Sequence, residues 1–378
     1  MTLRPVWAEV DLAAIRHNVG ALAALAAPAR VCAVVKAGGY GHGPVESARA
    51  ALDGGASWLA VALVEEGAQL RHAGIDAPVL LLSEPPPGAM ADVVGLGLTA
   101  TLYTEAGVAA AAAAASASTS GTPLPVHVKV DTGMHRVGAT AADAVKLALT
   151  VEERPELALE GLWTHFAVAD APDDPFTGLQ NRRFTAVLDE LAGLGVRPAL
   201  AHASNSAGVL AHPDAQHDLV RCGLAVYGVA PSPALEARAA ALRPALALKA
   251  RVSLVKEIEP GEGVSYGLRF RADRPTVIAT VPIGYADGVP WRLSAAGGEV
   301  LVGGRRRPIA GAVTMDQLMV DCGDDPSVAV GDEVVLLGRQ GDEEIGAWEW
   351  AGRLGTIAYE VLSGIGARVP RVYSSADG

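Results

Sequence analysis

Short apolar runs alternate with amphipathic stretches through the first two-thirds of the chain, and this rhythm predicts parallel β/α units. The runs are Val31–Val35, Trp58–Val61, Val79–Leu82, Leu98–Leu102, Val126–Val130, Leu159–Trp163, Ala199–His202 and Leu219–Arg221. Between them lie helix-sized segments, including Glu65–His72, Thr104–Ala115, Ala141–Leu149 and Leu179–Leu194. An earlier one, Asp11–Ala26, carries Leu12, Ile15, Val19, Leu22 and Leu25 at helical spacing, with Asp11 available as its cap. Eight units suggest a closed barrel more than an open doubly wound sheet. No dinucleotide-type glycine fingerprint follows any of the runs, which weighs the same way. The Ala-rich tract Ala109–Ala117 runs into SASTSG and reads as a surface helix followed by a mobile loop.

Near Pro231–Pro244 the rhythm changes to Val- and Gly-rich short runs: Leu248–Val255, Thr276–Val281, Val300–Val302, Leu318–Val320 and Val334–Leu337. Trp348–Ile357 is a candidate short helix. The expected fold class is therefore α/β, an N-terminal (β/α)8 TIM-type barrel over residues 8–242 and a C-terminal mainly-β domain over 243–378, with residues 1–7 packed on the latter. A length of 378 residues, half of them apolar, suits two domains with substantial cores.

A formal charge of −12 argues against nucleic acid or anionic lipid as the main partner, and Gly, Pro and charges interrupt every candidate membrane span. Cys32, Cys222 and Cys322 stand alone among apolar or glycine neighbours, as core residues of a reducing compartment do. With no signal-peptide pattern in the first 20 residues, the expected location is cytoplasmic.

Chemistry gathers where strands should end. Lys36 follows a buried run and precedes Gly38, Gly39, Gly41 and Gly43, which permit a tight turn and close ligand approach, while Pro44 opens the next helix. Desolvation there would lower a lysine from its reference pKa near ~10.4 and free its amine to attack a carbonyl; a lysine reaching to solvent from a strand end is the alternative. Strand C-termini form the working face of a barrel. Polar residues at the other run ends are Lys129, Asp131 and Arg136, then Thr164 and His165, then His202, Ser204, Asn205 and Ser206, and finally Arg221 and Gly223. Hydroxyls and backbone N–H groups after the seventh and eighth runs suit a phosphate, whether or not the serines also cap helices. An amine opposite a phosphate pocket points to pyridoxal phosphate held as a Schiff base.

The segments VVKAGGYGHG, KVDTGMHRVG, HASNSAG, VRCGLAVYG, GVSYG, VPIGYADG, MDQ and TIAYE occur in that order across residues 31–360. Together they resemble alanine racemase. The resemblance implies a pyridoxal 5'-phosphate enzyme without a metal, interconverting L- and D-alanine by two bases and supplying D-alanine for peptidoglycan. It also implies a head-to-tail homodimer with shared active sites. Lys36 would hold the cofactor and serve one face of the substrate Cα, and Tyr285 of the other subunit the opposite face. A phenol with a reference pKa of ~10 is a poor base at neutral pH unless cations stabilise it, and His165 would supply part of that help. Arg221 would face the pyridine nitrogen; unable to accept a proton, it would leave that nitrogen unprotonated and favour reprotonation of the carbanion over transamination. Tyr40, Asn205, Ser206, Gly223, Leu224 and Tyr359 would complete the cofactor site, chiefly around the phosphate. Arg136 would approach the cofactor and the substrate carboxylate, Met315 and Asp316 of the partner would border the substrate, and Lys129 resembles a family lysine that can be carbamylated.

Some positions depart from the family pattern: Gly38 and Gly39 stand where the family commonly has Asn or Asp followed by Ala or Gly, His135 replaces a small or amide residue, and Ala312 stands where many members have arginine. The entrance thereby loses a charge that attracts carboxylates. A racemase of broader range, accepting serine, is thus the alternative on the same scaffold. A non-catalytic pyridoxal-phosphate-binding protein would have little use for GYADG and MDQ, and a decarboxylase is disfavoured by Arg221.

Overall fold

The computed structural model describes residues 3–119 and 121–375, which form two compact units. One comprises Ala14–Gly39 and Pro44–Arg243. The other comprises residues 3–13, Tyr40–Gly43 and residues 244–375.

In the first unit the apolar runs become strands Arg30–Val34, Trp58–Val61, Val79–Leu81, Ala100–Leu102, Leu124–Lys129, Leu157–Trp163, Leu200–His202 and Leu219–Cys222. They pair in parallel as two groups of four. Parallel bridges Leu80–Thr99 and Asn205–Arg221 join the groups at both edges and close the ring. Closure leaves no open sheet edge. The strands are almost wholly buried, as expected when a ring of helices covers the outer face and side chains fill the interior.

The amphipathic segments become helices Leu12–Ala26, Val64–His72, Glu105–Ala117, Ala141–Glu152 and Phe176–Gly193. Thr104 and Thr140 cap two of them, their hydroxyls accepting from the N–H groups of Gly107 and Asp143. Helix Pro44–Asp53 begins on its proline. In the Ala-rich helix, Val108, Ala111 and Ala112 form a buried face. Ser120, in the loop expected to be mobile, lies outside the described residues.

The second unit is built on antiparallel pairing. Its largest sheet runs in the order Arg305–Pro308, Glu299–Val302, Glu333–Gln340, Leu246–Arg251, Val6–Asp11 and Arg371–Ser374, with Glu343–Ile345 added to the third of these. Only the last pair is parallel. A second sheet holds Leu254–Ile258, Thr276–Val281 and Leu318–Asp321. The run Leu248–Val255, read as one strand, divides between the two sheets. At the crossing, the Val252 N–H donates to the Asp332 carbonyl and the Ser253 N–H to the Thr280 carbonyl, so successive residues serve different partners. At the N-terminus, Val6, Ala8 and Val10 alternate into the core while their strand pairs with Leu246–Arg251; Met1 and Thr2 lie outside the described residues. Helix Ala347–Leu354 covers most of the stretch expected to be helical. Among the described residues no helix is long and apolar enough to cross a membrane, and all three cysteines are buried thiols.

Candidate active site

Lys36 stands just beyond the first barrel strand, half-buried. Burial, then the nearby Arg136 cation, lower its pKa below the usual lysine range, against a smaller opposing pull from Glu66. The chain then turns left-handed: Ala37, Gly38, Gly39, Tyr40 and Gly41 all have positive φ. Three of the five are glycines, which carry no Cβ to strain in that conformation. Glu66 fastens the turn by accepting from the N–H groups of Ala37 (2.6 Å), Ala62 (2.8 Å) and Leu63 (3.1 Å).

Four further charged or ionisable strand-end groups lie within electrostatic reach of Lys36 or of one another: Lys129, Arg136, His165 and Arg221. Arg221 is buried, with its Nη2 donating to the carbonyls of Thr164 (2.7 Å) and Ala203 (2.9 Å) and to His165 Nδ1 (3.1 Å), and its Nη1 to His202 Nδ1 (2.8 Å). Burial lowers it to about 10, so it is charged at neutral pH. Its Nε has no partner among the described residues. Trp163 lies beneath both cations, 4.0 Å from Lys129 Nζ and 4.4 Å from the Arg221 guanidinium carbon. Desolvation, followed by Arg221 and Arg136, brings Lys129 down to about 7.

His165 differs from the cationic helper expected of it. Burial and the charges of Arg221, Lys129, Arg136 and Lys36 hold it well below the usual histidine value, so it is neutral. Because Arg221 can only donate, His165 Nδ1 accepts and its proton resides on Nε2. What it offers is a polarised N–H, with the positive charge one bond further back.

After the seventh and eighth strands, Ser206 Oγ accepts from the N–H groups of Gly223 (2.9 Å) and Ala225 (3.4 Å), which gathers a hydroxyl and backbone amides at one place beside Leu224. Asn205 has another job: its Oδ1 caps helix Ser206–Ala211 by accepting from the Gly208 N–H. In the second unit Tyr40 and Tyr359 come together, ring centroids 6.2 Å apart. Tyr285 and Met315, both exposed, share one surface of that unit, where the N–H groups of Tyr285 and Ala286 donate to the carbonyls of Thr314 and Met315. A Cβ on Gly284 would sit 2.2 Å from the Thr314 oxygen, so only glycine admits this approach.

Residues 10–231 match the family model described as alanine racemase, N-terminal domain, and residues 245–373 that described as alanine racemase, C-terminal domain. The chain belongs to the alanine racemase family. Alanine racemase of Symbiobacterium thermophilum is 50% identical over 98% of this chain and 97% of its own length. That of Frankia casuarinae is 46% identical over 97% and 95%. The crystal structure of alanine racemase from D-cycloserine-producing Streptomyces lavendulae superposes with a TM-score of 0.93 at 41% identity, covering 100% of this chain and 98% of that one. Alanine racemases are pyridoxal-phosphate-dependent isomerases.

Against this family background, several supporting residues had no signal in the linear pattern. Buried Gln180 ties two site loops together: its Nε2 donates to Thr132 Oγ1 and the His165 carbonyl, and its Oε1 accepts from the Ala167 N–H. Asp131 accepts from the N–H groups of Gly133 and His135; burial opposes its ionisation, but these amides and His135 outweigh that and keep its pKa low. The side chain of Asp287, in the GYADG turn, is fully buried; it receives both Nη groups of Arg4 (2.9 and 2.7 Å), the Gly284 N–H, and Arg368 at 3.3 Å. Arg368 also donates to Asp316 at 2.6 Å, so that carboxylate is already engaged. Asp287→Ala is expected to destabilise the protein by about 1–3 kcal/mol, because the Gly284 N–H is left unpaired while the two partly exposed arginines can turn to water. Thermal unfolding measures this, and an unchanged midpoint would contradict the bracing role.

Proposed function

We propose that this protein interconverts L- and D-alanine using pyridoxal phosphate held at Lys36, with Tyr285 of a second copy completing each site. The carrying observation is the cluster at the barrel's strand ends: a half-buried amine with a lowered pKa, a charged arginine whose Nε has no partner among the described residues, and a serine hydroxyl with backbone amides gathered around it. These groups fit the cofactor. Lys36 would bond to its aldehyde carbon, Ser206 with the backbone of Gly223 and Leu224 would take its phosphate, and the Arg221 Nε would face its ring nitrogen. When bound, the cofactor draws electrons from the amino-acid Cα and acidifies its proton.

The protein's own groups would do the rest. Arg136 would pair with the substrate carboxylate, and the Lys36 amine would take or return the proton on one face. The partner's Tyr285 would serve the other face, its oxygen stabilised by the N–H of His165 with Arg221 behind it. Tyr266, Leu268, Tyr285, Trp291 and Met315 leave apolar surface exposed on the second unit, which supports association of copies. Asp316, engaged by Arg368, would border the substrate site without contributing an unpaired charge.

Chiral analysis of L-alanine incubated with cofactor-loaded protein tests the reaction: appearance of D-alanine is expected, and its absence would overturn the assignment. Comparing rates on alanine and serine separates the narrow reading from the broad one. Ala312 favours keeping serine in that comparison, since it is buried and supplies no charge.

Lys129 at about 7 is partly neutral at physiological pH, as attack on dissolved carbon dioxide requires. Its nitrogen would form a bond to the carbon and release one proton, leaving a carbamate anion near Arg136 and Arg221. Occupancy is expected to rise as pH climbs through about 7 and to fall below it. Labelled bicarbonate followed by carbon NMR reads it; no amide-like carbamate signal above that pH would remove the modification from the account.

A further inference from the structure

We infer that Glu160, His127 and His202 form a directional hydrogen-bond relay that positions Arg221. His127 comes from the fifth barrel strand, Glu160 from the sixth, and His202 from the end of the seventh. Both histidines are fully buried. The links are Arg221 Nη1 to His202 Nδ1 at 2.8 Å, His202 Nε2 to His127 Nδ1 at 2.8 Å, and His127 Nε2 to Glu160 Oε2 at 3.3 Å.

Chemistry fixes the direction of every proton. A guanidinium has donors only, so His202 Nδ1 must present its lone pair and carry its proton on Nε2. That N–H donates to His127 Nδ1, which leaves the His127 proton on Nε2, aimed at the Glu160 carboxylate. The reverse order would set an N–H against the N–H of Arg221. Double protonation of His202 would do the same and add a like charge. Burial and Arg221 keep His202 well below its usual value, and burial keeps His127 low despite Glu160.

The surroundings are shaped to hold the rings. Trp163 stacks on His202 at 5.5 Å and 7°, and Trp58 packs on His127 at 5.4 Å. Gly161, the neighbour of Glu160, makes room for His127: a Cβ there would lie 2.6 Å from His127 Nδ1. A bulkier residue at 161 would thus displace the middle of the relay. With a carboxylate at one end and a guanidinium at the other, each hydrogen bond polarises the next in the same sense. Arg221 is held through Nη1 and Nη2 by this relay and the loop carbonyls, which leaves Nε to face a ligand. The effect on cofactor chemistry rests on the function proposed above, whereas the relay itself does not.

Nitrogen NMR of histidine-labelled, cofactor-free protein tests the relay independently of catalysis. Neutral Nε2–H tautomers are expected at both His127 and His202, and an Nδ1–H tautomer or a doubly protonated ring at His202 would overturn the proposal. Glu160→Ala should remove the fixed tautomer of His127, while Glu160→Gln, whose amide oxygen still accepts, should keep it. In loaded protein Glu160→Ala should shift the cofactor absorbance and lower kcat about tenfold, the rate equivalent of one hydrogen bond, with KM unchanged because Glu160 does not touch substrate. Unaltered His127 signals and absorbance in Glu160→Ala would also overturn it. Absence of racemase activity alongside the expected tautomers would refute the assigned reaction and leave the relay standing.

Discussion

Lys36→Ala is expected to abolish racemisation and to remove the covalent cofactor signal from the absorbance spectrum. The lysine is the one amine at the end of the first barrel strand, followed directly by a left-handed turn that points the chain away and is pinned by Glu66. Its lowered pKa makes the neutral amine more available than that of a surface lysine. Alanine keeps the backbone and supplies neither a covalent tether nor a base. Lys129 stands at the end of a different strand, over the Trp163 ring, so its amine does not take the place of that of Lys36. Activity should fall by at least ~10⁴, beyond the contribution of a single general base, because two roles disappear together. Retention of the covalent band would show that another residue holds the cofactor.

Tyr285→Phe should remove exchange of the Cα proton for one enantiomer only. Phenylalanine preserves the ring and deletes the oxygen, and the turn around it depends on Asp287, Gly284 and the Thr314 carbonyl rather than on the phenol. Folding and cofactor binding should therefore persist while racemisation falls by about 10²–10⁴, the usual contribution of a positioned acid or base. Deuterium incorporation from solvent, followed separately for L- and D-alanine, distinguishes the outcomes. Equal exchange of both enantiomers would mean that Tyr285 serves neither face.

The sequence was most legible where function follows a strand end. Eight apolar runs mark the barrel, so Lys36, Lys129, His165 and Arg221 could be assigned to one face before any coordinates. Periodicity carries that information because buried parallel strands must be apolar nearly throughout. It carries none about hydrogen bonds between residues far apart in sequence. Arg4 and Asp287 are 283 positions apart, and Glu160 reaches His127 across neighbouring strands. The neutral state of His165 was hidden for a similar reason: its burial and the four cations around it come from several loops. The break at Val252 was masked because both halves of Leu248–Val255 have strand-forming residues, and only the partners reveal the change of sheet.

The shared two-base site is tested most directly by mixing inactive Lys36→Ala and Tyr285→Phe proteins under conditions where subunit exchange is verified. Random pairing makes about half the dimers mixed, each with one intact Lys36–Tyr285 combination, so about a quarter of the wild-type rate should return. No recovery after demonstrated exchange would contradict a site built from Lys36 of one subunit and Tyr285 of another.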